Sequence, residues 1–358
     1  MMRVVGRPFR TSRTAAVAVA VLALVGLAAA CGTPAPGVTR TWIEFSPSAA
    51  DPATDFGPDA RSILGAPTVT PKNRLVVLFA GSGGGPKSMG NLATVLQEDG
   101  FHVLGVRYDS DLPTLDACPD SQQTSNPDCH RALRSEVVFG EGVPDPNGTP
   151  HDHPGVSVPI ANSAMNGVLH QLDYAISQYP GDGFEQFQQQ TGGSCDVVNP
   201  TYGACELNWD LVSVLGFSQG GAVALYLSKF VDVARVGMLS AAFDAYAPSS
   251  APTAAPWVAE GGFATPVSDI AHLSHVGDFN IFRQRAVADA LGLPGAEANI
   301  RLEAAPYGGT NRLVSDYIPA CTPNDSLNKH NSTGGNSCSD VNAYRPAWLY
   351  LAEGPTGP

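Results

Sequence analysis

Gly216-Phe217-Ser218-Gln219-Gly220 is the stretch of this 358-residue chain whose residue types and spacing are suited to chemistry. A serine spaced Gly-x-Ser-x-Gly can be held on a sharp turn with its hydroxyl presented as a nucleophile. The flanking residues agree with that reading. Leu211 to Leu215 is short, apolar and partly β-branched, as a buried parallel strand requires. Gly221 to Leu227 reads as a buried helix. In a strand-to-helix turn this tight, a Cβ at either outer glycine would collide with neighbouring backbone. The serine then stands at the positive end of the helix that follows.

A serine hydroxyl is a weak nucleophile until a base takes its proton, so Ser218 calls for a histidine oriented by a carboxylate. Where the nucleophile sits on a strand–turn–helix, the three residues follow the chain order Ser, Asp, His, at the carboxyl ends of strands. Of the 8 histidines, His102, His130, His151, His153 and His170 precede the serine. His272 and His275 fall inside an expected strand. His330 is left, in the expected loop Asn328 to Ser332, with Cys321 and Cys338 bracketing it. The first choice of acid is Asp278, directly after the strand that ends at His275-Val276. Asp244, beyond the strand at 235–241, is the alternative, with Asp316 and Asp340 as outsiders. The oxyanion of an acyl-transfer intermediate needs two preorganised N–H donors, for which the amides of Gln219 and Ser82 are the candidates. Ser82 belongs to a glycine-rich run, Gly81 to Lys87-Ser88, that nearly spells a phosphate-binding loop. Pro86 replaces its second required glycine, which argues against nucleotide binding. His151-Asp152-His153 lacks a third ligand at metal spacing and reads as a solvated loop, so no metal or organic cofactor is expected.

The elements that must position these residues form an α/β pattern. Strands are expected at Thr41–Phe45 (an edge), Leu75–Phe79, His102–Val106, 211–217, Val236–Leu239, Ala271–Val276 and Ile300–Ala304. Helices are expected at Met89–Gln97, Ala161–Tyr179 and 219–230. The second has Met165, Leu169, Leu172 and Ile176 on one face. Alternation with continuous apolar strands predicts a mostly parallel central sheet flanked by helices. Insertions at Asp109–Pro159 and Gly181–Asn208 interrupt the rhythm; each contains two cysteines.

The first 30 residues read as a signal peptide: Arg3, Arg7, Arg10 and Arg13, an apolar run from Thr14, then Ala28-Ala29-Ala30. Cys31 follows directly and resembles the lipidated cysteine of a bacterial lipobox. Removing it from an odd total of 7 cysteines leaves an even set: Cys118, Cys129, Cys195, Cys205, Cys321 and Cys338. Neighbour pairing would staple three polar stretches by disulfides, which export permits. Without the four leader arginines, 16 basic residues face 33 acidic ones, a net of −17. That balance excludes nucleic acid and anionic lipid as partners bound through a basic surface. Membrane contact is expected only through a lipid on Cys31.

From Leu75 to about Leu351 the chain resembles the α/β-hydrolase superfamily, in particular an exported bacterial group of serine hydrolases with a Gly-x-Ser-Gln-Gly elbow. Gly81-Ser82-Gly83-Gly84, Tyr179-Pro180, Asn208-Trp209-Asp210, Met238-Leu239-Ser240 with Asp244, Ala255-Pro256-Trp257, His330-Asn331-Ser332 and Tyr344-Arg345-Pro346-Ala347-Trp348 carry the likeness. Phe217 departs from the common histidine before the nucleophile. The resemblance implies the α/β-hydrolase fold with Ser218, Asp278 and His330 as the triad. The expected organisation is residues 1–30 signal peptide, 31–70 tether and edge segment, 71–352 catalytic domain and 353–358 tail. The expected function is cleavage of small or polymeric carboxylic esters through an acyl-enzyme by an exported protein, on the cell surface or secreted. Two rivals are a non-catalytic surface lipoprotein that uses the fold as a binding scaffold, and a depolymerase for polyester or esterified polysaccharide with a cleft lined by aromatics such as Trp257.

Overall fold

The computed structural model describes residues 42–148, 152–247, 251–322 and 324–355. The signal peptide, Cys31, the tether at 31–40, His151 and the last three residues of the tail lie outside the described residues.

Nine strands form one sheet among the described residues: β1 (Ile43–Phe45), β2 (Ser62–Gly65), β3 (Leu75–Phe79), β4 (His102–Val106), β5 (Val212–Phe217), β6 (Arg235–Leu239), β7 (Ile270–His275), β8 (Ala298–Asn299) and β9 (Arg312–Ser315). Their spatial order is β1-β2-β4-β3-β5-β6-β7-β9-β8. The β1–β2 and β2–β4 pairings are antiparallel and all the others are parallel. Phe79 lies opposite Gly216, Phe217 opposite Leu239, and His275 opposite Ser315, so the carboxyl ends of β3, β5, β6, β7 and β9 share one edge. The chain leaves the sheet for its functional loops along that edge.

Helices α1 (Gly90–Glu98), α2 (Cys129–Phe139), α3 (Ala164–Gln178), α4 (Gln219–Ser228), α5 (Ile281–Leu291), α6 (Ser326–Ser332) and α7 (Val341–Glu353) surround the sheet. Because strand side chains alternate, Leu75, Val77 and Phe79 enter one core with α2, α3 and α4. Val76 and Leu78 enter the other, under Leu92, Leu96, Trp348 and Leu351 of α1 and α7. Both faces are covered, and this is why the central strand β3 is a continuous apolar run rather than an alternating one. Local caps start three helices. Ser163 accepts from the Asn166 amide, Asp325 from Leu327, and Asp340 from Asn342 and Ala343. Together the strand order, the parallel crossovers and the strand–turn–helix at β5–α4 are the α/β-hydrolase fold, with loops stapled by Cys118–Cys129, Cys195–Cys205 and Cys321–Cys338.

Three expectations are corrected. Ile300–Ala304 is turn, not strand; the sheet instead closes with the two-residue β8 and with β9. Apolar content at Ile300 and Leu302 misled there, since Leu302 points to solvent. The first insertion is not structureless: α2 crosses it, with nine of its residues buried, Arg134, Ser135 and Glu136 among them. Its charged residues lower its apolar content, so it does not stand out in the sequence. His330 lies on α6 rather than in a loop.

His130 and His272 are buried without an accessible surface, and burial lowers each imidazole from an ordinary 6.5 to about 4. Between those two values the unfolded chain binds protons that the folded chain refuses, so stability falls as pH drops through 6.5, and the loss from these groups is complete by about 4. Each histidine contributes on the order of 3 kcal/mol over that window. Urea midpoints measured from pH 7 to pH 4 are expected to fall steadily, and His272→Gln is expected to flatten the fall. An unchanged slope in that variant would contradict the assignment.

Candidate active site

Ser218 bridges β5 and α4 with φ 56° and ψ −124°, in the region where side-chain-bearing residues are rare. Its amide donates to the Leu239 carbonyl at 2.9 Å, and its carbonyl accepts from Gly221 at 3.1 Å. The flanking glycines are required by contact distance. A Cβ on Gly216 would lie 2.0 Å from the Gly220 carbonyl oxygen, and one on Gly220 would lie 2.1 Å from that of Phe79. No side chain can occupy either place without moving backbone.

The loop after β3 lies directly on this turn, since a Cβ on Gly81 would come within 2.9 Å of Ser218 Cβ. There the Ser82 hydroxyl donates to Gln219 Oε1, joining the two segments expected to supply the oxyanion donors. Two neighbouring amides are already committed: Gly83 donates to Ser110 at 2.9 Å and Gly84 to Gly81 at 3.0 Å.

His330 is held from both sides. Its Nδ1 stands 2.7 Å from Asp278 Oδ2, and its carbonyl accepts from the Ser240 hydroxyl at 2.9 Å. Thr333 in turn donates to Ser240 Oγ, and Trp348 Nε1 to the Thr333 carbonyl, each at 2.9 Å. Three phenylalanine rings surround the imidazole: Phe279 at 5.0 Å, Phe217 at 5.1 Å and Phe243 at 5.9 Å between centroids. Phe217 immediately precedes Ser218, so this packing brings the histidine to the nucleophile turn. It also gives Phe217 a role at the position where the resembling proteins commonly carry a histidine. Gly334 leaves room for that ring, because a Cβ there would lie 2.5 Å from it.

Asp278 accepts from three groups. Beyond His330, the Asn280 amide reaches Oδ1 at 2.8 Å and Gln284 Nε2 reaches Oδ2 at 2.9 Å. Burial alone would raise its carboxyl; the His330, Asn280 and Gln284 hydrogen bonds outweigh burial and hold it below the ordinary aspartate range. Nothing in the sequence pointed to Gln284, which becomes a neighbour only because α5 starts immediately after the acid.

Asp244 has different partners. It is fully buried in a two-pronged pair with Arg134, at 2.6 and 2.9 Å, and accepts from Trp257 Nε1 at 3.2 Å. Desolvation is overcome by Arg134, so this carboxyl too stays below its usual range. Asp316 pairs with Arg301 and Asp340 caps α7. Trp257 is itself buried beneath Tyr226 and does not line the surface cleft that the depolymerase alternative would require. Among the other histidines, His275 Nε2 lies 2.9 Å from the Tyr317 carbonyl and His272 is enclosed in the sheet. His153 Nε2 sits 3.3 Å from Cys129 Sγ, a sulfur already bonded to Cys118 and therefore not a thiolate ligand.

No protein-family model and no curated protein matches the sequence. Solved structures similar to it include a putative dienelactone hydrolase from Klebsiella pneumoniae (12% identity, TM-score 0.36, covering 86% of this chain and 95% of that one). A sugar hydrolase from Lactococcus lactis has 12% identity and TM-score 0.35 over the same shares, 86% and 95%. An acetyl xylan esterase from Aspergillus awamori has 13% identity and TM-score 0.31, covering 71% and 81%. At these scores the likeness carries no argument about the site, which stands on its own geometry.

The two aspartates differ in what their removal leaves behind. Asp244→Ala strands the buried Arg134 guanidinium and is expected to cost about 3–5 kcal/mol of stability. Asp278→Asn retains an acceptor for Asn280 and is expected to cost less than about 2 kcal/mol. Denaturant unfolding of the two variants measures the difference, and equal losses would contradict it.

Proposed function

We propose that this chain is a serine hydrolase that cleaves carboxylic esters through an acyl-enzyme, with Ser218, His330 and Asp278 as its triad. The observation that carries the reading is the 2.7 Å bond between His330 Nδ1 and Asp278, with the imidazole packed on the ring next to Ser218. Asp278 selects the tautomer with hydrogen on Nδ1, leaving Nε2 to take the proton from Ser218 Oγ as the hydroxyl attacks the ester carbonyl. The amides of Ser82 and Gln219 hold the oxyanion, aided by the positive end of α4. When the tetrahedral intermediate collapses, Nε2–H protonates the departing alkoxide and the acyl group stays on Ser218. Water then attacks the acyl-enzyme with Nε2 as base, which releases the acid and restores the serine. The phenylalanine rings packed around the imidazole keep bulk water from the His–Asp bond.

We further propose export, supported by the basic and apolar leader and by three disulfides among the described residues. Lipidation of Cys31 belongs to the same proposal.

A fluorophosphonate probe is expected to label the mature protein at Ser218. Ser218→Ala and His330→Ala are expected to lose at least about 10⁴-fold in kcat toward a short nitrophenyl ester. Asp278→Asn is expected to lose about 10³- to 10⁴-fold, and Asp244→Asn less than about tenfold per folded molecule. A folded wild type that takes no label and turns over no ester would instead favour a binding scaffold.

A further inference from the structure

We infer that the apolar side chains exposed around His330 form the subsite for the alcohol half of the ester, and that the enzyme selects esters of long apolar alcohols. This rests on the hydrolase reading above. Val276, Phe279 and Phe282 are exposed at 42–43%, and Leu327 at 51%. They come from two segments that clasp the histidine. Val276 and Phe279 bracket Asp278 in the turn after β7, and the Phe279 ring faces the imidazole at 5.0 Å. Leu327 stands three residues before His330 on α6, and so on the same side of that helix. The segments pack together, because a Cβ on Gly277 would meet Lys329 Cδ at 2.6 Å. The result is a collar of exposed apolar side chains carried by these two segments, on a chain whose charge is otherwise strongly acidic.

The geometry of catalysis assigns this collar to one half of the substrate. In the tetrahedral intermediate the carbonyl oxygen turns toward the Ser82 and Gln219 amides. The leaving oxygen must come within about 3 Å of His330 Nε2 to receive its proton. Whatever is attached to that oxygen is the alcohol moiety, and it lies beside the imidazole. Groups lining the imidazole therefore contact the alcohol chain, while the acyl chain extends from the carbonyl carbon bound to Ser218. A hydrocarbon alcohol covers Phe279 and Leu327; a sugar or other polyol would leave its hydroxyls against apolar surface without partners.

Hexyl acetate and ethyl hexanoate are isomers of equal carbon number, so comparing them separates the two halves from overall hydrophobicity. The wild type is expected to show at least about tenfold higher kcat/KM for hexyl acetate, by proton release at concentrations below solubility. In Phe279→Ser and in Leu327→Ser the ratio is expected to fall toward one, while Val198→Ser, on the distant Cys195–Cys205 loop, leaves it unchanged. A wild-type ratio at or below one overturns the inference, as does a ratio that neither collar variant moves. Fluorophosphonate labelling is read on the same samples. A protein that takes no label defeats the hydrolase reading and this inference with it, whereas a labelled protein without alcohol preference defeats the inference alone.

Discussion

The contact between the backbones of Gly216 and Gly220 is the constraint on which the rest of the site depends. With 2.0 Å between a hypothetical Cβ and the facing carbonyl oxygen, the chain can turn from β5 into α4 only where neither residue has a side chain. That turn throws Ser218 beyond the sheet edge and fixes its φ at 56°. The loop after β3 then has to approach Ser218 closely, which is possible because Gly81 also lacks a Cβ. Each close approach removes side-chain volume around Ser218, and neighbouring backbone comes within reach of it.

A second set of constraints works by burial of charge. The turn after β6 carries Phe243 to the imidazole, and the next residue, Asp244, is locked beneath it by Arg134 and Trp257. Arg134 comes from α2, inside the first insertion, and Arg283 from α5 reaches Asp120 in the same insertion at 2.7 Å. The buried Arg134–Asp244 pair and the half-buried Arg283–Asp120 pair tie an apparently accessory segment to the turn after β6 and to α5. A buried pair of this kind adds little net stability over an apolar one, yet breaking one side is expensive, and so it enforces geometry. The Cys118–Cys129 bridge closes the same insertion.

Much of the fold is legible in the sequence because its causes are local or periodic. Strand β3 is apolar throughout, β4, β5, β6 and β7 are mostly apolar short runs, and α3 has both its stripe and its Ser163 cap. Where a segment buries polar groups the pattern fails. Helix α2 encloses Arg134 and Glu136, which lower its apolar content, and the two-residue β8 is too short to register. Trp257, which only the depolymerase alternative would place in a cleft, instead donates to the buried carboxylate of Asp244.

The sequence by itself determined the nucleophile turn, since its sterics involve five consecutive residues, and it paired cysteines 10 to 17 positions apart, where short loops make closure cheap. It also narrowed the histidine to His330 by chain order. Which carboxylate meets that histidine was decided only by the tertiary structure. Asp278 and His330 are 52 residues apart, and Asp244 is 110 from the arginine that claims it. Both aspartates follow parallel strands that end at the same sheet edge, so strand position alone cannot separate them. What separates them is which buried partner the packing delivers to each: an imidazole in a phenylalanine cage to one, a guanidinium to the other.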